Sequence, residues 1–228
     1  MPGDRERLID AALSHVAFEG MGDKAIAEAA RDIGISPALA RVYLPRGGAD
    51  LAAAYHRRGD AALREWLAAY PPQGRFRDRV AAAVMQRLSL SARELARAGA
   101  AVLALPQNAA LGARLVWETA DAIWDGLGDR SEDVNWYSKR ATLSAVYAAT
   151  ALYRLGDESP QCEATRRFLD RRIEGVMRFE TFKERLGALP GAATLSGLAT
   201  GWIRRPENRN LPGELRASPR AGAEGGDG

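Results

Sequence analysis

The chain holds 228 residues, 27% of them charged and 46% hydrophobic, with 32 basic against 29 acidic side chains for a formal charge of +3. That length supplies a hydrophobic core without staples, and so even a balance does not by itself require a polyanionic partner. One cysteine, Cys162, and two histidines, His15 and His56, exclude a disulfide framework and a cysteine-built zinc site and leave little material for a Ser-His-Asp triad.

No run of about 18 apolar residues is present, so no membrane-spanning helix is expected. The opening stretch MPGDRERLID lacks an apolar h-region and holds acids early, so neither a secretory signal nor a transit peptide is expected. Apolar residues recur at three- and four-residue spacing and alternating β-branched runs are nearly absent, which predicts an all-α fold. A first helix is expected over 4–19, stopped by Gly20 and Gly22, with His15 among its apolar neighbours in a structural role. A second runs from Asp23, read as its N-cap, to Asp32, and Gly34 breaks it. Ser36-Pro37 restarts a short third helix, serine as cap and proline at the first position, ending near Leu44. Longer helices follow over 49–69, 76–103, 109–127, 134–155 and 161–186. Pro71-Pro72, Pro106, a polar loop at 128–132 and the stretch Gly156 to Pro160 separate them. A weaker amphipathic segment covers 192–203, and the Gly- and Pro-rich stretch from Arg204 onward is expected to be disordered.

Residues 23–44 read short helix, glycine turn, short helix, with Gly34 in the turn between Ile33 and Ile35, as a helix-turn-helix does. With a helix before and a long helix after, this looks like the N-terminal domain of TetR-type regulators, and the resemblance implies a larger helical C-terminal domain. The chemistry for DNA is poor. The third helix offers Pro37, Ala38, Leu39, Ala40, Arg41, Val42 and Tyr43, with one cation to reach bases or phosphates. Across 23–50, Lys24, Arg31, Arg41 and Arg46 are balanced by Asp23, Glu28, Asp32 and Asp50, so counterion release would give little affinity. TetR-type regulators usually carry a tyrosine and a lysine where this chain has Arg41 and Gly47. No nucleic-acid partner is expected, and a ligand-responsive regulator is kept as the alternative.

The segment Asn135-Trp136-Tyr137-Ser138-Lys139-Arg140 is distinctive, as are Leu143, Tyr147, Thr150, Leu152-Tyr153, Asp157, Ser159-Pro160, Thr165 and Phe168 to Ile173 after it. Leu105-Pro106-Gln107-Asn108 and Asp121-Ala122-Ile123-Trp124 lie upstream. Together these resemble the ubiquinone-biosynthesis accessory family, lipid-binding proteins with a TetR-like fold. The resemblance covers about residues 4–186 and is most specific over 117–173. It implies a homodimeric, non-enzymatic protein without a cofactor that presents an isoprenoid quinone-like lipid to the demethoxyubiquinone hydroxylase. It also implies a docking patch at Trp136, Tyr137 and Arg140. With no transit peptide expected and an Ala- and Arg-rich composition, a bacterial member is expected, cytoplasmic and peripheral to the inner membrane.

The expected organisation is therefore a degenerate helix-turn-helix region (4–48), a helical lipid-binding domain (49–186), an amphipathic membrane-binding segment (187–203) and a tail (204–228). An all-α domain can house a polyprenyl chain between helices lined with aliphatic residues. Candidate lining residues are Val84, Leu88, Leu95, Leu111, Leu115, Leu143 and Val146, with Tyr147 completing the set. Val80, Val102, Leu103 and Ile123 are further candidates, and ordinary core packing is the alternative for each. The membrane surface would be met by Leu195, Leu198, Trp202 and Ile203, with Arg204 and Arg205 on anionic headgroups. No catalytic constellation emerges: there is no Gly-rich phosphate loop, no metal-ligand spacing, and no base beside the lone thiol of Cys162.

Overall fold

The computed structural model describes residues 2–129 and 134–187. Among these the chain is all-α, with α1 (Pro2–Glu19), α2 (Asp23–Asp32), α3 (Pro37–Tyr43), α4 (Gly48–Ala69), α5 (Phe76–Ser89), α6 (Arg93–Leu103), α7 (Ala109–Gly126), α8 (Val134–Leu155) and α9 (Glu163–Gly187). The expected amphipathic segment and tail lie outside the described residues.

Local chemistry sets most helix ends. Ser36 Oγ accepts the Leu39 amide and Pro37 opens α3, as the sequence predicts. Gly34 takes a positive φ of 72°, so that the Ile35 amide can return to the Ala30 carbonyl and turn α2 toward α3. Gly22, not Asp23, is the N-cap of α2; Asp23 instead places its charge in the first turn, where the helix dipole favours it. His15 is not buried among apolar neighbours alone: its Nε2 lies 2.6 Å from Asp32 Oδ2 and ties α1 to the end of α2.

The single helix expected over 76–103 is two helices. After α5 the Ser89 hydroxyl turns back to the Gln86 carbonyl at 2.8 Å, and the Ser91 amide takes the Leu88 carbonyl at 3.3 Å. The Ala92 amide, freed by the break, donates to Tyr55 Oη at 2.9 Å, and the Ser91 carbonyl accepts from Arg154 at 3.4 Å. Partners on α4 and α8 thus satisfy backbone groups that a continuous helix would have paired internally.

Two apolar cores result. The first gathers Leu8, Ile9, Ala12 and Val16 of α1, Ala25, Ile26 and Ala29 of α2, and Leu51 and Ala52 of α4, closed by Leu95, Val102 and Leu103 of α6. The second gathers Leu63 and Leu67 of α4 with Val80, Val84, Ala120, Ile123, Leu143, Val146, Tyr147 and Leu169. The 22-residue α4, about 33 Å long, belongs to both. The helix-turn-helix region therefore completes its core with residues from α4 and α6.

The start of α9 hangs on one carboxylate. Asp157 Oδ1 accepts the Ser159 amide and hydroxyl at 2.8 and 2.6 Å, and Oδ2 accepts the Thr165 amide and hydroxyl at 2.8 and 2.5 Å. These bonds hold its pKa well below the usual carboxylate value. Asp157→Ala should lower the melting temperature by several degrees at pH 7. Because the folded pKa is depressed, the contribution exists above the ordinary carboxylate pKa and is lost as pH falls below it, so thermal melts of wild type and variant should converge in acid.

Candidate functional site

Where the two cores part, α4 carries Tyr55, His56, Gly59 and Asp60 along one face. Asp60 and Arg87 of α5 are almost fully buried, at 1% and 2% exposure. Arg87 Nε donates to Asp60 Oδ1 at 2.7 Å, Nη2 to the His56 carbonyl at 2.8 Å, and Nη1 to Ser91 Oγ at 3.0 Å. Gly59 makes room for this: a Cβ there would stand 2.6 Å from the guanidinium carbon. The Thr119 hydroxyl of α7 donates to Asp60 Oδ1 at 2.8 Å, and His56 Nε2 lies 2.8 Å from Thr119 Oγ1. The Thr119 hydroxyl also lies 3.2 Å from the Leu115 carbonyl, so Thr119 ties α7 to both His56 and Asp60 of α4.

Burial keeps this imidazole neutral and pushes its pKa down to about 4, against the pull of Asp60. Burial also opposes the charge on Arg87, but Tyr147 and Asp60 beside it outweigh that and leave its pKa raised. The phenol of Tyr147, fully enclosed, is pushed up by its burial.

Of these groups His56, Arg87, Ser91 and Tyr147 line a cavity of about 250 Å³ between α4, α5, α6, α7 and α8. Tyr55 and Arg154 also stand on its wall; the rest of the lining is apolar and includes the buried Leu115 and the exposed Leu152. Of the predicted lining residues, Leu88, Leu95, Leu115 and Tyr147, and also Leu103, stand on its wall. Leu143, Val146 and Val80 line a second, smaller groove of about 100 Å³ beside Phe76 and Trp124. Val84 and Leu111 stand on neither wall. Val84 and Ile123 are fully buried in the second core, Leu111 is half-buried on α7, and Val102 packs in the first core. Sequence reasoning missed Tyr55, His56, Arg87 and Ser91. The signal available was a His and an Asp one turn apart astride a glycine, and an arginine on the otherwise apolar face of α5.

The predicted docking residues sit at the start of α8. Trp136 and Tyr137 are half-buried, with ring centroids 4.7 Å apart, and Trp117 of α7 packs against both at 6.0 and 6.5 Å. Arg140 is not a surface contact: it is fully buried. It reaches Asp121 at 2.5 Å, Asp125 at 2.9 Å and Asp129 at 3.1 Å, and its guanidinium lies 4.0 Å from the centroid of the Trp136 ring. Three carboxylates on and just after α7 draw it inward, where it locks α7 to α8 and sets the Trp136 ring. The predicted membrane residues Leu195, Leu198, Trp202, Ile203, Arg204 and Arg205 lie outside the described residues. No described helix is long and apolar enough to cross a membrane. No cluster of three His, Cys, Asp or Glu among the described residues could hold a metal.

The family model for COQ9 matches residues 109–180, the stretch that carries α7, α8 and most of α9. The COQ9-B ubiquinone biosynthesis protein of Xenopus laevis is 31% identical over 206 residues, covering 85% of this chain and 69% of that one. The chain belongs to the COQ9 family. The mitochondrial ubiquinone biosynthesis protein COQ9 of Xenopus tropicalis is 32% identical, again over 85% of this chain, and the human one is 31% identical over 76%. The chain spans 64% and 57% of the length of those two relatives. Its fold matches a TetR transcriptional regulator from Nitrosomonas europaea with a TM-score of 0.58 at 19% identity, over 75% of this chain and 97% of that one. The fold of the chain is therefore TetR-like.

Two outcomes follow from the charges. His56 is neutral in the folded chain, while the unfolded chain takes up the proton first as pH falls below 6.5. Stability present above pH 6.5 should drop by on the order of 3 kcal/mol on the way to pH 4, and urea titrations of His56→Gln should lack that component. Arg140→Leu should lower stability by on the order of 3 kcal/mol, read by the same titrations, because the half-enclosed carboxylates lose their shared cation.

Proposed function

We propose that this chain is a lipid-binding accessory protein of ubiquinone biosynthesis that catalyses no reaction itself. It holds an isoprenoid quinone intermediate in the cavity between α4 and α8 and presents it to the demethoxyubiquinone hydroxylase. The observation that carries this reading is the cavity: largely apolar, with the buried Arg87 and half-buried His56 on its wall and the exposed Leu152 at its margin. An apolar cavity of about 150 Å³ takes up benzene, so 250 Å³ admits a substituted ring with the first part of its tail. The remainder of a long tail would leave past Leu152.

The naming of the relatives as ubiquinone biosynthesis proteins supports the ligand class. The aromatic cluster of Trp117, Trp136 and Tyr137 is the surface assigned to the hydroxylase, since half-buried aromatics held by packing make good interface anchors. The protein is proposed to act as a homodimer at the cytoplasmic side of a bacterial inner membrane, with the segment from Leu195 to Arg205 on the lipid surface. Nucleic acid has no part in it. Arg31 is paired with Glu28 and Arg46 with Asp50, and α3 exposes Pro37, Ala38 and Val42. A surface so neutralised displaces few counterions.

Organic extraction of protein purified from membrane-containing lysate, followed by mass spectrometry, should yield a prenylated quinone or phenol. A lipid-free extract, together with sequence-specific retardation of duplex DNA at nanomolar protein, would replace this reading with that of a ligand-responsive regulator.

A further inference from the structure

Of the wall residues that α6 and α8 give the cavity, only Gly99 and Tyr147 are buried, and Leu152 of α8 is the one exposed residue of the whole wall. The cavity therefore reaches the surface along the seam between these two helices. Ala96 and Ala100 on one side and Ala148 and Ala151 on the other are too small to fill it. Two arginines cross the seam in opposite senses. Arg97 of α6 donates through Nη2 to the Leu155 carbonyl, the last of α8, at 2.8 Å. Arg154 of α8 donates through Nη1 to the Ser91 carbonyl, in the break before α6, at a longer 3.4 Å. Among the described residues neither arginine forms an ion pair, although Glu94 and Glu158 are exposed close by in the chain. The helix they fasten is short, 11 residues between two breaks, with only Gly99 fully buried.

We propose that the seam between α6 and α8 is the door of the cavity and that Arg97 and Arg154 are its latch, setting how long an apolar ligand stays rather than how tightly it is held. The proposal rests on the reading of the cavity as a lipid site. A ring that fills the cavity passes the seam when α6 tilts away from α8, pivoting where Ala98 and Val102 rest on the first core. Tilting breaks both arginine bonds, and closing restores them whether or not a ligand is inside. The two bonds thus raise the barrier to entry and to exit alike and cancel from the binding equilibrium. Their acceptors are neutral backbone carbonyls, so the latch is weak enough to open and strong enough to slow the exchange. A carrier that keeps an isoprenoid lipid until it meets the enzyme that consumes it has use for such a door.

The test uses the full chain and N-phenyl-1-naphthylamine, an apolar probe that brightens on leaving water, with entry followed by stopped-flow mixing, exit by dilution of the loaded protein, and Kd by equilibrium titration. Arg97→Ala and Arg154→Ala should each speed entry and exit about threefold, and the double variant about tenfold, the size that two net hydrogen bonds supply. Kd should stay within about twofold of wild type throughout. Arg97→Lys, which keeps a donor for the Leu155 carbonyl, should recover part of the slow exchange. Unchanged rates in variants that bind the probe overturn the proposal and leave the lipid reading intact. A raised Kd with an unchanged entry rate also overturns it, because the arginines would then hold the ligand or its walls and not the door. Arg97 is exposed, so its variant decides the matter even if that of Arg154, on the cavity wall, fails to fold. Failure of wild type to bind the probe overturns the lipid reading and this proposal together.

Discussion

The ion pair between Arg87 and Asp60 is the constraint on which the central architecture depends. Two charges at 2% side-chain exposure are expensive to take out of water, and only dense hydrogen bonding makes such a pair tolerable. The chain meets that demand by bringing four elements to one point: Asp60 and the His56 carbonyl from α4, Arg87 from α5, Ser91 from the break after it, and Thr119 from α7. Each partner is fixed by the others, so the spacing between these helices is set by polar geometry, not by side-chain volume. A polar knot of this kind cannot be filled over by aliphatic side chains. The space beside it becomes a cavity rather than core.

A second buried arginine does analogous work at the far side of the domain. Arg140 holds α8 against α7 through three carboxylates and carries the Trp136 ring on its guanidinium face. Both arginines act through position. Arg87 shapes the wall of the cavity, and Arg140 sets the attitude of the aromatics that Trp117 and Tyr137 complete. Between them the fold has a TetR-like topology, while its third helix presents Pro37, Ala38, Arg41 and Val42 to solvent. Retained topology and altered surface chemistry are separable, and it is the surface and the cavity that carry the functional reading.

How far each feature could be read from the chain follows the range of the interactions behind it. Periodicity and caps are local, and they are where the sequence reading succeeds: Ser36 and Pro37 start α3, α8 spans 134–155, and Gly34 turns the helix pair. The apolar face of α5 through α8 is legible for the same reason, so Leu88, Leu95, Leu115 and Tyr147 could be placed on a cavity wall without knowing where the wall lay.

The sequence by itself thus determined the helical class, most helix boundaries and the apolar character of the faces that enclose the cavity, because a helix needs only its own residues within four positions. Only the tertiary structure decided the break at 90–92, whose backbone groups find partners on α4 and α8, and the division of the apolar residues between cavity wall and core. It alone decided that Arg140 turns inward, toward carboxylates 11 to 19 residues away. It also decided the polar end of the cavity, whose bonds join residues 27 and 59 positions apart. Such contacts form between helices that meet only on folding, and nothing in the local pattern of either helix encodes which partner the other will bring.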